Sequence, residues 1–190
     1  YGNTLPLPGD TDLVEDEKRN ASYLFRSKDE GTTWSDPTRI ALDFNETSIL
    51  PLGTTHWIAA LRSHFEGQFT AVCHSYDGGK TWTEPERVTR AAEHPPDLVQ
   101  LADGRILMAF GERNKPYGVH ALVSSDGGKT WDKEHELVLM DHATSTDCGY
   151  PSSVVLPDGR VLTVYYAVGS TKHPDWEVHA GGILFTPPTF

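Results

Sequence analysis

Basic residues are scarce in this chain: 16 Lys and Arg stand against 27 Asp and Glu, a formal net charge of −11 over 190 residues. That balance argues against a nucleic-acid backbone or an anionic membrane surface as the main partner. Cysteine is almost absent. Cys73 and Cys148 lie 75 residues apart, outside any C-x-x-C pair or histidine cluster, so no zinc or redox site is implied. A disulfide between them stays open, with two buried thiols the plainer reading. No apolar run approaches the roughly 18 residues needed to span a bilayer. Tyr1-Gly-Asn-Thr-Leu-Pro6 has no Met, basic stretch or apolar stretch and is not read as a signal peptide. No long period-3.6 pattern or capping box announces a helix. No histidine pair has metal-binding spacing, so neither metal nor cofactor is expected.

What the chain does contain is repetition. Ser27-Lys-Asp29-Glu-Gly31-Thr-Thr33-Trp34, Ser75-Tyr-Asp77-Gly-Gly79-Lys-Thr81-Trp82 and Ser124-Ser-Asp126-Gly-Gly128-Lys-Thr130-Trp131 all read S-x-D-x-G-x-T-W, at steps of 48 and 49 residues. A second signature alternates with the first: Leu98 to Phe110 and Val154 to Tyr165 each place an apolar run on both sides of an Asp-Gly pair, Asp103-Gly104 and Asp158-Gly159. Each reads as a hairpin with a two-residue turn. Ile49 to Leu61 is a degenerate copy. With 13 prolines and 17 glycines punctuating short strands, the pattern predicts an all-β repeat protein. A period near 50 residues fits one four-stranded propeller blade.

The S-x-D-x-G-x-T-W box reads as a structural clamp. Its Asp accepts backbone N–H groups a few residues on, its second Gly takes positive φ, and its Trp is expected to be largely buried. Asp29, Asp77 and Asp126 are therefore not taken as catalytic carboxylates. The strands group into a partial blade over 1–45, with strands near Thr4–Leu7 and Ala21–Arg26, full blades over 46–92 and 94–141, and a partial blade over 150–187. Two full and two partial blades leave edges that a further segment, a second chain or ring closure would have to cover.

These boxes make the chain resemble the sialidase (neuraminidase) superfamily of BNR-repeat, or Asp-box, proteins, from the first box to Phe185. The resemblance implies a sialidase-like six-bladed β-propeller, an acidic carbohydrate or glycoconjugate as partner, and a secreted or periplasmic setting. It also implies site residues. Asn45-Glu46-Thr47 and Leu61-Arg62-Ser63 match the family's N-E-[ST] and following Arg, making Glu46 the carboxylate beside a tyrosine nucleophile and Arg62 a carboxylate-gripping arginine. Tyr150, in Asp147-Cys-Gly149-Tyr150-Pro, matches the nucleophile. The chemistry is sound unaided: guanidinium binds carboxylate bidentately, and a Glu can take the proton of a phenol whose ordinary pKa is near 10. Plainer readings are a strand-end charge for Glu46, a surface ion pair for Arg62 and a sugar-stacking ring for Tyr150.

The chain departs from the family pattern in places. No R-[IVL]-P motif and no following acid/base Asp is matched. Arg113, in Glu112-Arg113-Asn114-Lys115-Pro116-Tyr117, lies near the third arginine's place but out of register. Tyr165-Tyr166-Ala167 replaces the late aromatic-Glu. Further candidates at strand ends are His94 as acid/base or uronate ligand, Asp147 as acid or Tyr-orienting group, and Tyr117 and Tyr165 as substrate contacts. The function expected is an exo-acting glycoside hydrolase of sialidase type. A non-catalytic carbohydrate- or protein-binding propeller, or a polysaccharide lyase using His94 and a Tyr, are the alternatives.

Overall fold

The computed structural model describes residues 20–190, so the strand expected near Thr4–Leu7 lies outside the described residues. Among these there is no helix. Thirteen strands form four antiparallel sheets. The first pairs β1 (Ala21–Arg26) with β2 (Ser35–Leu42). The second runs β3 (Phe44–Pro51), β4 (Trp57–Ser63), β5 (Thr70–Ser75), β6 (Glu86–Arg87). The third runs β7 (Glu93–Gln100), β8 (Ile106–Glu112), β9 (Tyr117–Ser124), β10 (Leu137–Ala143). The fourth holds β11 (Cys148–Val155), β12 (Val161–Val168) and β13 (Val178–Phe185).

The sheets stack face to face. Alternate residues of β4 point into different layers. Ile58 and Ala60 join Met108, Phe110 and Leu122 of the third sheet, while Ala59 and Leu61 join Ile40 and Ala41 of the first. β8 is buried on both faces, which is why Ile106 to Phe110 reads as an unbroken apolar run rather than an alternation. The fourth sheet packs one face on the third, through Val161, Tyr165 and Ala167. Val154, Val164, Val178 and Leu184 are exposed. Cys73 and Cys148 are free, buried thiols in different sheets, and burial raises both pKa values, to about 12 and about 11.

Two local devices set this stacking. At the Asp-Gly hairpins the loop has three residues, not two. Leu101 N–H donates to Arg105 O at 2.8 Å around Ala102-Asp103-Gly104, and Leu156 to Arg160 at 2.8 Å around Pro157-Asp158-Gly159. The glycines take φ of 89° and 84°, the left-handed position that closes a three-residue hairpin. The boxes form the turns β1–β2, β5–β6 and β9–β10. In the third box Asp126 Oδ1 accepts the N–H groups of Lys129 and Thr130 at 3.0 and 2.9 Å, and Ser124 Oγ accepts Gly128 N–H at 2.8 Å. Burial opposes ionisation of Asp126, but the hydroxyl and N–H of Thr130, then the Ser124 hydroxyl and the Lys129 N–H, all donating to its carboxylate, hold its pKa down at about 2.

The second and third boxes also reach back to the sheet before them. Trp82 packs on the cluster holding Ile40 and Phe44, and Trp131 on the one holding Ile58 and Val72. Both are half-buried. Trp34 departs from expectation: it is 63% exposed. Its box is built like the others, but no sheet precedes β1 among the described residues, so the ring has no surface to cover.

Candidate active site

The boxes and Asp-Gly turns occupy one end of the stack. The other end gathers the starts of β3, β7 and β11, the ends of β4, β8 and β12, and the loops between them. Each of the three first strands breaks register near its start: between Asn45 and Ser48, Glu93 and Pro96, and Gly149 and Ser152. Those irregularities turn equivalent positions, Glu46, His94 and Tyr150, out of the ladder. Glu46 and Tyr150 carry φ of 44° and 48°, a conformation that side-chain-bearing residues adopt at a cost of about 1–3 kcal/mol.

The strain brings together residues 104 apart in sequence. Tyr150 Oη donates to Glu46 Oε1 at 2.6 Å, and Arg62 Nη1 donates to the same oxygen at 2.8 Å. Arg62 Nη2 donates to Gln68 Oε1 at 2.9 Å. The Glu46 side chain is 7% exposed, and its Oε2 is buried without a hydrogen-bond partner. Arg113 donates from Nε to the His94 carbonyl at 3.3 Å, and its guanidinium carbon sits 5.8 Å from the Tyr150 ring centroid, within cation–π range. The close passage of β8 and β11 permits this: a Cβ on Gly149 would come within 2.7 Å of Gly111 Cα. Tyr150 and Glu46 border a cavity of about 370 Å³ between the first strands of the sheets. A second cavity, of about 550 Å³, lies between the β4–β5 loop and Arg113.

His94 borders the second cavity and is only 2% exposed. Burial first, then the charges of Arg113, Arg62 and His64, lower its pKa to about 3. It is therefore a neutral imidazole near pH 7, and cannot act there as an imidazolium acid. The shift is also a stability statement. Between about 3 and 6.5 the unfolded chain binds a proton that the folded chain refuses, so stability falls as pH falls through that window. The slope is up to about 1.4 kcal/mol per pH unit. His94→Gln should remove that component in urea titrations at pH 7, 6, 5 and 4; parallel curves for the two proteins would contradict it.

The other sequence candidates fall elsewhere. Asp147 does not meet the Tyr150 hydroxyl in any described hydrogen bond; it accepts a short one from Tyr166. Burial, then that bond and the charge of Asp147, push the Tyr166 hydroxyl up to about 12. Tyr165 is 7% exposed and lies in the core with Met140, Cys148 and Ala167, against Gly181. Burial raises its pKa as well. Tyr117 packs beside the same cluster, with Lys115 5.8 Å from its ring centroid. Tyr166 and Gln68 are the residues that sequence reading passed over. Tyr166 could have been found by alternation, since Val161, Thr163, Tyr165 and Ala167 share the buried phase of β12 and leave Tyr166 on the other face. Nothing local marked Gln68.

Among the described residues, one cluster has ligand-like spacing: the side chains of Glu112, His120 and Glu136 offer atoms within 4.8 Å of one another. Arg90 already supplies a cation there, with salt bridges to Glu93, Glu112 and Glu136.

Residues 4–163 match the BNR repeat-like domain. The chain belongs to that family. Its curated relatives include a sialidase of Bacteroides fragilis (strain YCH46), 26% identical over 174 residues, and a sialidase of Paraclostridium sordellii, 24% identical over 169 residues. The alignments cover 86% and 77% of this chain but only 31% and 41% of those proteins. Among solved structures, a protein of unknown function from Dyadobacter fermentans matches with TM-score 0.74 and 33% identity, over 88% of this chain and 46% of that one. The Penicillium chrysogenum alpha-L-arabinanase, complexed with arabinobiose, matches with TM-score 0.65 and 19% identity, over 88% of this chain and 55% of that one. The NanB sialidase of Streptococcus pneumoniae gives 0.61 and 15%, over 87% and 27%. The fold of this BNR chain is thus an all-β, sialidase-like propeller arrangement of sheets, on a scaffold shared with carbohydrate-active proteins.

Proposed function

We propose that this BNR chain carries the tyrosine–glutamate centre of a sialidase-like, exo-acting glycoside hydrolase for acidic sugars. The observation that supports this most is the 2.6 Å hydrogen bond from Tyr150 to Glu46, made by two strained residues from sheets that are not sequence neighbours. Tyr150 Oη attacks the anomeric carbon as its proton passes to Glu46 and the bond to the leaving oxygen breaks. Water then releases the sugar from the tyrosyl intermediate. A phenol suits a carbon already bearing a carboxylate, because a neutral nucleophile avoids like-charge repulsion, and tyrosine nucleophiles are the known exception to the paired-carboxylate rule. Arg62 keeps the Glu46 carboxylate aimed at the phenol, and Arg113 supplies positive charge over the Tyr150 ring.

No residue of the chain was matched to the family's acid/base Asp, so the test uses a leaving group that needs no proton. A 2,3-difluorinated sialic acid loses fluoride unaided, and the fluorine at C3 slows release of the intermediate. Incubation should add one sugar mass to the chain, and peptide mapping should place it on Tyr150. Binding of the sugar without any covalent adduct, or an adduct on another residue, would overturn the nucleophile assignment and leave a carbohydrate-binding propeller.

A further inference from the structure

The opposite end of the stack, where the boxes turn, holds a cavity of about 480 Å³ between the second sheet and the box of the third. His74 and Tyr76 line one wall, with His56 beside them. The three ring centroids lie 4.9, 5.4 and 6.0 Å apart, and the planes are within 28° of one another. A 3.2 Å hydrogen bond between His56 Nε2 and His74 Nδ1 fixes two of the rings, and Tyr76 is 57% exposed. The box does not require this patch. The residues flanking its first serine are Arg26 and Lys28 in the first copy and Val123 and Ser125 in the third, against His74 and Tyr76 in the second. The other wall is cationic. Lys129 and Lys133 border it, and neither ammonium group has an ion pair or hydrogen bond among the described residues. Arg87 donates Nε to the Thr89 carbonyl at 2.8 Å, and its terminal nitrogens have no hydrogen bond among the described residues. Glu86 is the one carboxylate on the wall, so this cavity inverts the charge of a chain whose net charge is −11.

We propose that this cavity is a second carbohydrate site, for a chain of acidic pyranose sugars, with Tyr76 as the stacking platform and Lys129, Lys133 and Arg87 as receptors for the acid groups. One face of a pyranose ring presents C–H groups, which settle on the electron-rich face of an aromatic ring. Ammonium and guanidinium groups with unused donors pair with the carboxylates or sulfates that recur along such a chain. The net negative charge of the protein repels polyanions elsewhere on its surface, so the local inversion of charge selects where one can dock. The cavity is remote from Tyr150 and Glu46, which lie at the other end of the strands. A six-residue strand such as β5 spans about 20 Å. A polymer held at the box end therefore leaves the tyrosine–glutamate centre open, and raises the effective concentration of its chain ends there. The proposal stands whether or not Tyr150 is a nucleophile.

Equilibrium binding tests this without relying on turnover. The full chain is titrated calorimetrically with polygalacturonate, dextran sulfate, uncharged dextran and poly-L-glutamate, which carries the charge but no sugar ring. At least one acidic polysaccharide should bind about tenfold or more tighter than dextran, and about fivefold or more tighter than polyglutamate. Whichever of polygalacturonate and dextran sulfate binds better assigns the acid group as carboxylate or sulfate. The double variant Lys129→Gln, Lys133→Gln should weaken that polysaccharide about tenfold or more. Tyr76→Ala should weaken it about fivefold, while Tyr76→Trp, which keeps an aromatic face, stays within about twofold of the parent. Arg113→Gln, at the other end of the stack, should change nothing. Melting temperatures report whether each variant is folded. The site is overturned if dextran or polyglutamate binds as tightly as both acidic polysaccharides, or if the folded lysine variant or folded Tyr76→Ala binds like the parent. A loss in folded Arg113→Gln equal to that in the lysine variant would place the binding at the other end and overturn it as well.

Discussion

Tyr150→Phe should lower turnover of an activated aryl sialoside by about 10³-fold or more, the scale seen when a nucleophile is deleted, with the melting temperature nearly unchanged. The substitution removes one oxygen from a half-buried ring. Glu46 Oε1 keeps its second bond, from Arg62 at 2.8 Å, so losing the bond between Tyr150 and Glu46 costs folding about 1 kcal/mol. Glu46→Gln should cost about 10²–10⁴-fold, as expected for loss of a proton acceptor, and should also free Arg62 from its ion pair. The pair separates the mechanisms: a sugar-stacking role for Tyr150 would survive the Phe substitution, because the ring is retained. Turnover within a few-fold of the parent in folded Tyr150→Phe would end the nucleophile assignment.

Gly128→Val should destabilise the chain by about 3 kcal/mol or more. Gly128 has φ of 86°, and a Cβ there would lie 2.2 Å from Ile58 Cδ1 in the fully buried layer between the second and third sheets. A branched residue at positive φ adds backbone strain to that overlap, and overpacking alone costs about 1–3 kcal/mol. Gly104→Ala is the control. Its φ of 89° is similar, but no heavy atom lies within 4 Å of its Cβ position, so only the backbone cost of about 1–2 kcal/mol applies. Urea titration of both variants reads the difference. Equal losses would mean that the box glycine serves only its turn and not the contact between sheets.

Much of this architecture was legible because its devices are local. An Asp that accepts N–H groups three and four residues on, and a Gly at the left-handed position of a hairpin, leave signatures in a few consecutive residues. The pairing of Glu46 with Tyr150 was legible in another way, through resemblance to a family; no composition or spacing joins residues 104 apart. What could not be read was what each side chain meets across a layer. Tyr165 and Tyr166 look alike in sequence, yet strand alternation sends one into the core and the other to Asp147. Trp34 sits in a box as well formed as its repeats, and its exposure depends only on whether a sheet lies beneath it. The isolation of His94 emerges only when three first strands and two loops converge around it.

The separation of Tyr150 from Glu46 has a kinetic consequence. Their hydrogen bond closes a loop of more than 100 residues and passes over the first strand of the intervening sheet, where Asp97 ties Ser48 to Ser153 at 3.4 and 2.7 Å. Hairpins and boxes close short loops and form early, whereas a contact of this span must wait for the sheets to dock, since loop-closure entropy is met first. The centre is therefore a late-forming element of the folding reaction. Any opening that loosens the fourth sheet from the third dissolves it while the local turns persist, so chemistry at Tyr150 would be lost before secondary structure on the way to unfolding.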